Sequence, residues 1–274
     1  MRNDHFRMEQ LSEGIFEITP AGSIRKIRDL KLLHELKGPS LVGLDPVLID
    51  TGKACILLDA GLGIGLDSLE TDHETSNILT NLEIFGYKPE DITDVILTHL
   101  HYDHVAGLSF TGTDNQVTAT LPNARIHVQK AEWEAALDSI QNHQATQGIG
   151  YEPDDLYRLA AEDRFVFLEK ENQEILPGIT IIRTGGHSAG HQVVRIRQGP
   201  QTSYFCGDLI PSEHFLQPFA IGKSDIEPIK ARKARTLLIQ QACREKATLL
   251  FYHSVYNKTG TVVRDKHHRF IFKK

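Results

Sequence analysis

The chain alternates short apolar runs with polar loops, and several runs have the length and composition of buried β-strands. Each of these runs leads into a residue that can bind a metal ion. The runs and the residues that follow them are Asp94–Thr98 with His99, Ile179–Arg183 with His187, Ser203–Cys206 with Asp208, and Thr248–Tyr252 with His253. Because loops held by a rigid sheet position binding groups well, the pattern predicts a functional site at the carboxyl ends of these strands.

Helical periodicity predicts helices between the strands. The last of them has Pro228 in its first turn, where a missing N–H is tolerated. It carries apolar residues at helical spacing, namely Ala234, Leu237, Leu238 and Ala242. Both halves of the chain therefore combine strands with helices. The predicted helices are Glu74–Phe85, Ala131–Ile140, Pro153–Ala161 and Glu227–Lys246.

The composition fits one large globular domain. Of the 274 residues, 40% are hydrophobic, which is enough for a large core. Length alone would allow two domains, but the candidate ligands extend over most of the chain and must converge, so we predict a single domain over residues 1–274. The formal net charge of -6 gives no electrostatic footprint for nucleic acid, and we expect no such partner.

The sequence has no run of about 18 apolar residues and no apolar signal-peptide core at its N-terminus, so we expect a cytoplasmic protein without a membrane partner. The cysteines lie in apolar segments without the paired spacing of metal sites, and we expect buried thiols in a reducing compartment. Burial is also the expectation for Cys206, although it lies two residues before Asp208.

The densest cluster of candidate ligands has the pattern His-x-His-x-Asp-His and comprises His99, His101, Asp103 and His104. Imidazole nitrogens and carboxylate oxygens are the ligands of zinc-like divalent ions. Donors at alternating positions of a tight loop can face two neighbouring metals. The alternative, a polar surface loop with unlinked histidines, does not account for the complete pattern.

In their order along the chain, these motifs resemble those of the metallo-β-lactamase superfamily of metal-dependent hydrolases. The resemblance extends from the hairpin around Val47 and Asp59-Ala60-Gly61 to His253, which is most of the chain. It implies an α+β fold, the four-layer αββα sandwich. It also implies residues that orient the ligands without binding metal, here Asp59 and His191. The implied ligands are His99, His101 and His187 for one metal and Asp103, His104 and His253 for the other, with Asp208 bridging both.

The activity implied by this resemblance is metal-assisted hydrolysis of an ester, lactone or related bond in a small molecule. Two divalent ions, with zinc as the expected metal, would share a bridging hydroxide that attacks the substrate, and Asp103 and Asp208 would be the carboxylates of the catalytic centre. Iron and manganese also accept these ligands. The sequence is compatible with a homodimer.

Within the superfamily, the chain looks most like the single-domain group that contains acyl-homoserine-lactone lactonases and organophosphate hydrolases. It departs from the lactonases at Pro211, where they carry a tyrosine that contacts the carbonyl oxygen of the substrate. Ser212, His214 and Tyr252 are the candidates to take over that contact.

We also predict that two segments, Gln141–Arg164 and Pro211–Lys223, form the apolar wall of a substrate pocket. Phe215 and Phe219 are the candidate contacts in the second segment. In the alternative interpretation, these apolar residues only pack the loops or form a dimer contact.

Two further activities are compatible with part of the ligand set. A persulfide dioxygenase would bind a single iron through His99, His187 and Asp208, but the complete second set of ligands favours hydrolysis. A phosphoester hydrolase would use the same two-metal site.

The remaining charged features are expected to be solvated. The C-terminal segment Arg264–Lys274 is predicted to form a final edge strand. The residues expected to be solvated are the histidines His5, His34, His73, His127, His143, His267 and His268 and the basic residues Lys223, Lys230, Arg232, Lys233 and Arg235.

Overall fold

The computed structural model describes residues 7–18, 24–27, 41–63, 77–111, 117–141, 160, 163–217, 219–267 and 269–274. Two compact units are formed by Met1–Val128 with Ala136–Phe167, and by Gln129–Ala135 with Leu168–Lys274. None of the helices in these described ranges is long and apolar enough to cross a membrane.

The first unit is organised around one large mixed sheet and two small sheets. Its strands are, in chain order, β1 (Arg7–Gln10), β2 (Gly14–Ile18), β3 (Ile24–Lys26), β4 (Leu41–Leu44), β5 (Val47–Asp50), β6 (Cys55–Leu58), β7 (Asp94–Ile96), β8 (Ser109–Thr111), β9 (Val117–Ala119), β10 (Arg125–Gln129) and β11 (Phe165–Leu168). The six-stranded sheet has the order β1-β5-β6-β7-β10-β11, and the small sheets have the orders β3-β2-β4 and β8-β9. The helices of this part of the chain are α1 (Asn77–Ile84), α2 (Tyr102–Val105) and α3 (Lys130–Gln141).

The centre of the large sheet determines where the first group of polar residues lies. All residues of β6 and β7 are buried, as expected for central strands that are covered on both faces. The two strands pair in parallel, with Leu58 opposite Ile96. The loops that leave them, at Asp59 and Thr98, therefore begin at the same edge of the sheet.

The second unit contains a seven-stranded sheet with the strands in chain order. They are β12 (Asn172–Leu176), β13 (Ile179–Arg183), β14 (Gln192–Gln198), β15 (Gln201–Phe205), β16 (Thr248–Leu250), β17 (Thr259–Arg264) and β18 (Phe270–Lys273). Strands β15 and β16 pair in parallel, whereas β13, β14 and β15 pair in antiparallel fashion. The carboxyl ends of β13, β15 and β16 consequently lie at one edge of this sheet.

Helix α4 (Pro228–Glu245) packs against this second sheet. Its first residue is a proline, as predicted, and it ends where Lys246 adopts a left-handed conformation with a φ of 53°. The buried face of α4 includes Leu238 and Ile239, which belong to the same apolar core as Tyr204 and Phe251. Burial of this face stabilises the helix, because most helical stability in proteins comes from the packing of an apolar face.

The predicted helices agree with the structure within a few residues where both can be compared. The segments Glu74–Phe85, Ala131–Ile140 and Glu227–Lys246 correspond to α1, α3 and α4. The predicted helix Pro153–Ala161 lies outside the described residues, except for position 160.

Two residues that were expected to be solvated are buried, so these two predictions are wrong. His127 is buried, and its Nε2 lies 2.7 Å from Oδ1 of Asp94, because this carboxylate gives the ring a hydrogen-bond partner inside the sheet. Arg235 is buried as well, with 2% exposure. The predicted final edge strand is observed within Arg264–Lys274 as β18, after a turn in which Asp265 accepts hydrogen bonds from the backbone N–H groups of His267 and Arg269.

The other described residues that were expected to be solvated are exposed. These are Lys223, Lys230, Arg232, Lys233 and His267. His5, His34, His73, His143 and His268 lie outside the described residues.

Candidate metal-binding site

The first unit places four potential ligands in the loop that follows β7. The rings of His99 and His101 have centroids 4.4 Å apart, and those of His99 and His104 have centroids 4.1 Å apart. Asp103 and His104 are neighbours on the single turn of α2, where Oδ2 of Asp103 lies 3.7 Å from Nε2 of His104. His99, Asp103 and His104 are buried and His101 is half-buried, so the loop gathers its donors at the sheet edge.

Asp59 holds this loop from the end of the neighbouring strand. Its Oδ1 accepts a hydrogen bond from the backbone N–H of Thr98 at 2.6 Å, and its Oδ2 accepts one from the Thr98 hydroxyl at 2.8 Å. The same Oδ2 lies 2.7 Å from Nδ1 of His104. Asp59 is fully buried and has a φ of 55°, a left-handed conformation that aspartate tolerates better than most residues. It therefore lies where the sequence predicts an orienting residue.

These contacts determine which nitrogen of each ring carries the proton. Because Asp59 is an acceptor, Nδ1 of His104 must donate, which leaves the lone pair on Nε2. The Thr98 hydroxyl donates to Asp59, so its oxygen accepts from Nδ1 of His99 at 3.0 Å. In the neutral form of both imidazoles the lone pair therefore lies on Nε2, and the neutral form is the one that binds metal ions.

The second unit places three potential ligands at the edge where β13, β15 and β16 end. Asp208 lies in a 3-10 turn after β15, between two histidines. Its Oδ2 is 3.2 Å from Nε2 of His187, and its Oδ1 is 3.1 Å from Nε2 of His253. Each oxygen of one carboxylate therefore faces a different imidazole.

The chemistry of this arrangement fits a cation. Nδ1 of His187 lies 3.1 Å from Oδ1 of the buried Asp225, so in the neutral ring Nδ1 donates and the lone pair of Nε2 faces Asp208. A lone pair and a carboxylate oxygen repel each other at such a distance unless a positive charge lies close to both. Nitrogen and oxygen donors of this kind suit a zinc-like divalent ion.

His191 supports Asp208 from behind. Its Nε2 accepts a hydrogen bond from the backbone N–H of Asp208 at 3.0 Å, so its Nδ1 carries the proton and donates to the hydroxyl of Thr184 at 2.8 Å. Both ring nitrogens are used in these hydrogen bonds. The role of His191 as a supporting residue and not a ligand stays a prediction.

The turn that carries His187 depends on two contacts that the sequence does not reveal. Buried Glu132 accepts hydrogen bonds from the Ser188 hydroxyl and the Gly190 N–H through the same oxygen, both at 2.7 Å. A Cβ added at Gly186 would lie 2.4 Å from the backbone nitrogen of Ala231. The turn can approach the start of α4 this closely only because residue 186 is glycine.

His253 is held through its own loop. Its backbone N–H donates to the carbonyl of Pro211 at 2.9 Å. Partial burial alone would raise the pKa of the Glu213 carboxyl, but the hydrogen bonds that it accepts from Ser254 Oγ at 2.7 Å and from Asn257 Nδ2 at 2.6 Å lower this pKa. The segment after Asp208 is therefore tied to the segment after His253 by backbone and side-chain contacts.

The candidate substrate contacts occupy different environments. Tyr252 is fully buried, with its ring packed edge-on against Phe205 and His253. Ser212 and Phe215 are half-buried, and the Phe215 ring lies against Arg235. His214 is exposed, and Phe219 is 83% exposed. Their contact with substrate stays a prediction, and residues 142–159, 161 and 162 of the predicted pocket wall lie outside the described residues.

Cys206 is fully buried, as expected, and its thiol donates to the carbonyl of Tyr204. Burial raises the pKa of this thiol far above its usual range. Because a thiolate is the metal-binding form of cysteine, this environment disfavours a ligand role.

Comparison with known proteins gives the family. Residues 45–220 match the sequence profile of the metallo-beta-lactamase superfamily. The chain belongs to this superfamily. Over 228 residues it is 25% identical to an N-acyl homoserine lactonase of Bacillus cereus, and the alignment covers 80% of each protein.

Solved structures extend the likeness in fold to the whole chain. A probable metal-dependent hydrolase from Staphylococcus aureus is 22% identical with a TM-score of 0.74, over 100% of this chain and 99% of that one. AidC, a dizinc quorum-quenching lactonase, is 22% identical with a TM-score of 0.72, over 100% of this chain and 96% of that one. The predicted α+β fold of this superfamily is confirmed, and so is the prediction of a metallo-hydrolase.

Proposed function

We propose that the protein is a hydrolase that uses two divalent metal ions, most suitably zinc, to cleave a lactone or a related ester of a small molecule. Two relatives support this substrate class, the N-acyl homoserine lactonase of Bacillus cereus and the dizinc lactonase AidC. We further propose that the two compact units work as one catalytic domain over residues 1–274.

The proposed ligands are the seven side chains predicted from the sequence. Asp208 would bind both ions and Asp103 one of them, which makes these residues the carboxylates of the catalytic centre. Asp59 and His191 would orient ligands without binding metal. One ion would be bound by His99, His101, His187 and Asp208, and the other by Asp103, His104, His253 and Asp208.

The observation that carries the proposal is the position of Asp208 between two imidazoles. One oxygen lies 3.2 Å from Nε2 of His187 and the other lies 3.1 Å from Nε2 of His253. A carboxylate that served a single ion would not need a separate imidazole at each oxygen. This geometry favours a two-metal hydrolase over a dioxygenase with one iron at His99, His187 and Asp208.

When bound, two such ions supply a hydroxide near neutral pH and polarise the bond to be cleaved. Two carboxylates of the chain orient imidazoles for this metal binding. Asp59 and Asp225 each lie within hydrogen-bond distance of an Nδ1 proton, which keeps His104 and His187 oriented with Nε2 available. Ser212, His214, Phe215, Phe219 and Tyr252 are the proposed substrate contacts around this centre.

The test combines elemental analysis of the purified protein with a substrate panel of lactones, aryl esters, phosphotriesters, phosphodiesters and persulfides. We expect close to two divalent ions per chain and lactone or ester hydrolysis. The Asp208→Ala variant should lose metal and activity together, because two cations without a shared carboxylate repel each other more strongly. Asp138→Ala, which removes an exposed carboxylate on α3, is the control.

Three outcomes would contradict the proposal. One is a single iron with oxygen-dependent turnover of persulfide, and another is a fully active Asp208→Ala protein. The third is turnover of phosphoesters with no hydrolysis of any lactone or ester, which would keep the metal centre and replace the substrate class.

A further inference from the structure

Helix α4 brings a buried arginine to the segment that carries Asp208. Arg235 Nε donates to the carbonyl of Leu209 at 2.6 Å, and its Nη1 donates to the carbonyl of Ala220. The Phe215 ring covers the guanidinium, whose carbon lies 5.0 Å from the ring centroid. Because Leu209 directly follows Asp208, Arg235 fixes the backbone of this proposed bridging residue.

The buried carboxylate of Asp225 lies beside this arginine and contacts His187, another proposed ligand. Asp225 Oδ1 lies 3.1 Å from Nδ1 of His187, and Oδ2 accepts a hydrogen bond from the Gly222 N–H at 2.9 Å. Arg235 Nη2 lies 3.7 Å from Oδ2 of Asp225. The two charges are close enough to compensate each other, but they are not hydrogen-bonded to each other.

We propose that Asp225 and Arg235 form a brace, defined by these two residues, that positions His187 and Asp208 as a pair for metal binding. The proposal rests on the proposed function, since it assigns these two ligands to the same centre. Neither residue of the brace would touch metal or substrate. They are positioning residues that act through His187 and through the backbone beside Asp208.

The hydrogen-bond pattern distinguishes a brace from an ordinary buried ion pair. In a purely structural pair, the guanidinium and the carboxylate would bind each other and so satisfy most of their own hydrogen-bonding groups. Here Asp225 uses one oxygen for His187, and Arg235 uses two nitrogens for carbonyls of the segment from Leu209 to Ala220. An acceptor on the second nitrogen of a metal-bound histidine raises its basicity and fixes its orientation, which strengthens metal binding.

The experiment measures zinc affinity by competition with a chromophoric chelator, on full-length protein that has first been stripped of metal. Asp225→Asn removes the negative charge with little change in volume, and Arg235→Lys keeps the positive charge but removes the planar fork. We expect each variant to bind zinc about 10- to 100-fold more weakly than wild type. Glu227→Gln is the matched control, because it removes an exposed carboxylate two residues from Asp225.

A second readout reports on the proposed contact itself. In cobalt-loaded wild type, we expect the exchangeable Nδ1 proton of His187 to give a shifted proton NMR signal that is protected from solvent exchange by Asp225. In Asp225→Ala this signal should broaden or disappear, whereas Glu227→Gln should keep it. Thermal unfolding of the metal-free proteins shows whether each variant is folded.

The outcomes separate the brace from the proposed function. A wild-type protein that binds no pair of divalent ions would refute the proposed function. Wild type with two ions, together with unchanged zinc affinity in both conservative variants, would overturn the brace alone. Lower stability of the metal-free variants with unchanged zinc affinity would also overturn the brace and indicate a purely structural ion pair.

Discussion

Glu13 gives a quantitative prediction about the loop that carries Asp59. It is 3% exposed, and its Oε2 accepts a hydrogen bond from the backbone N–H of Leu62 at 2.8 Å. Burial raises the pKa of the Glu13 carboxyl from 4.5 to about 8, although the hydrogen bonds from the backbone N–H groups of Leu62 and Gly63 act in the opposite direction. The folded protein should therefore hold a proton here at neutral pH that the unfolded chain does not hold.

The sign of the pH effect follows from this difference. Between the unfolded pKa of 4.5 and the folded pKa of about 8, the folded state binds more protons, so its stability falls as the pH rises. The contribution of the protonated carboxyl is complete below the unfolded pKa and is lost as the pH passes the folded pKa. At 1.36 kcal/mol per pH unit, the loss between about pH 5.5 and pH 8 is about 3 kcal/mol.

The Glu13→Gln variant replaces the protonated carboxyl by a neutral group of the same shape. The variant should not show the loss of about 3 kcal/mol that wild type shows between about pH 5.5 and pH 8. The free energy of unfolding of the variant, relative to that of wild type, should therefore rise by about 3 kcal/mol over this pH range. Urea unfolding of the metal-free proteins, followed by circular dichroism, measures this difference. Glu83→Gln, at an exposed position of α1, is the control. A difference between Glu13→Gln and wild type that does not change with pH would refute the reasoning.

Two further substitutions test the support of the ligands. Asp59→Ala removes the acceptor of buried donors at Thr98 and His104, and the free energy of unfolding should fall by about 1–3 kcal/mol for each of these donors. The same change should weaken zinc binding. An unchanged midpoint of urea unfolding would contradict the prediction. Gly186→Ala should destabilise the protein more than Gly199→Ala in thermal unfolding, because both have positive φ but only the first would place a Cβ against Ala231. Equal losses would show that backbone conformation, and not close packing, requires glycine at position 186.

The positions of the candidate ligands are predictable because they depend on strand ends. The predicted strand Ile179–Arg183 is observed with the same bounds as β13, and the three other runs are observed with shifts of a few residues. Apolar runs are a strong local signal, since a central strand must be apolar on both faces. The polar residue that follows such a run then lies at the end of a strand, and therefore at an edge of the sheet.

The residues that support the ligands are not predictable in this way. Asp225 and His187 are separated by 38 positions, and Glu132 and Ser188 by 56. No periodicity links such residues, and an aspartate or glutamate in a polar segment has the same local pattern whether it is solvated or buried. Arg235 shows this well, because its basic neighbours Arg232 and Lys233 are exposed, as a solvated helix face predicts, while Arg235 itself is buried.

Three of the candidate ligands, His99, His104 and His187, are oriented by residues of their own unit. Asp59 and Thr98 hold His99 and His104, and Asp225 holds His187. These hydrogen bonds use Nδ1 of each ring, so they do not compete with a metal for Nε2. The loss of conformational entropy that orders these imidazoles therefore accompanies folding and not metal binding. A metal ion that reaches such preorganised donors gains affinity, which is why changes at Asp59 or Asp225 should reduce metal binding although neither side chain is a proposed ligand.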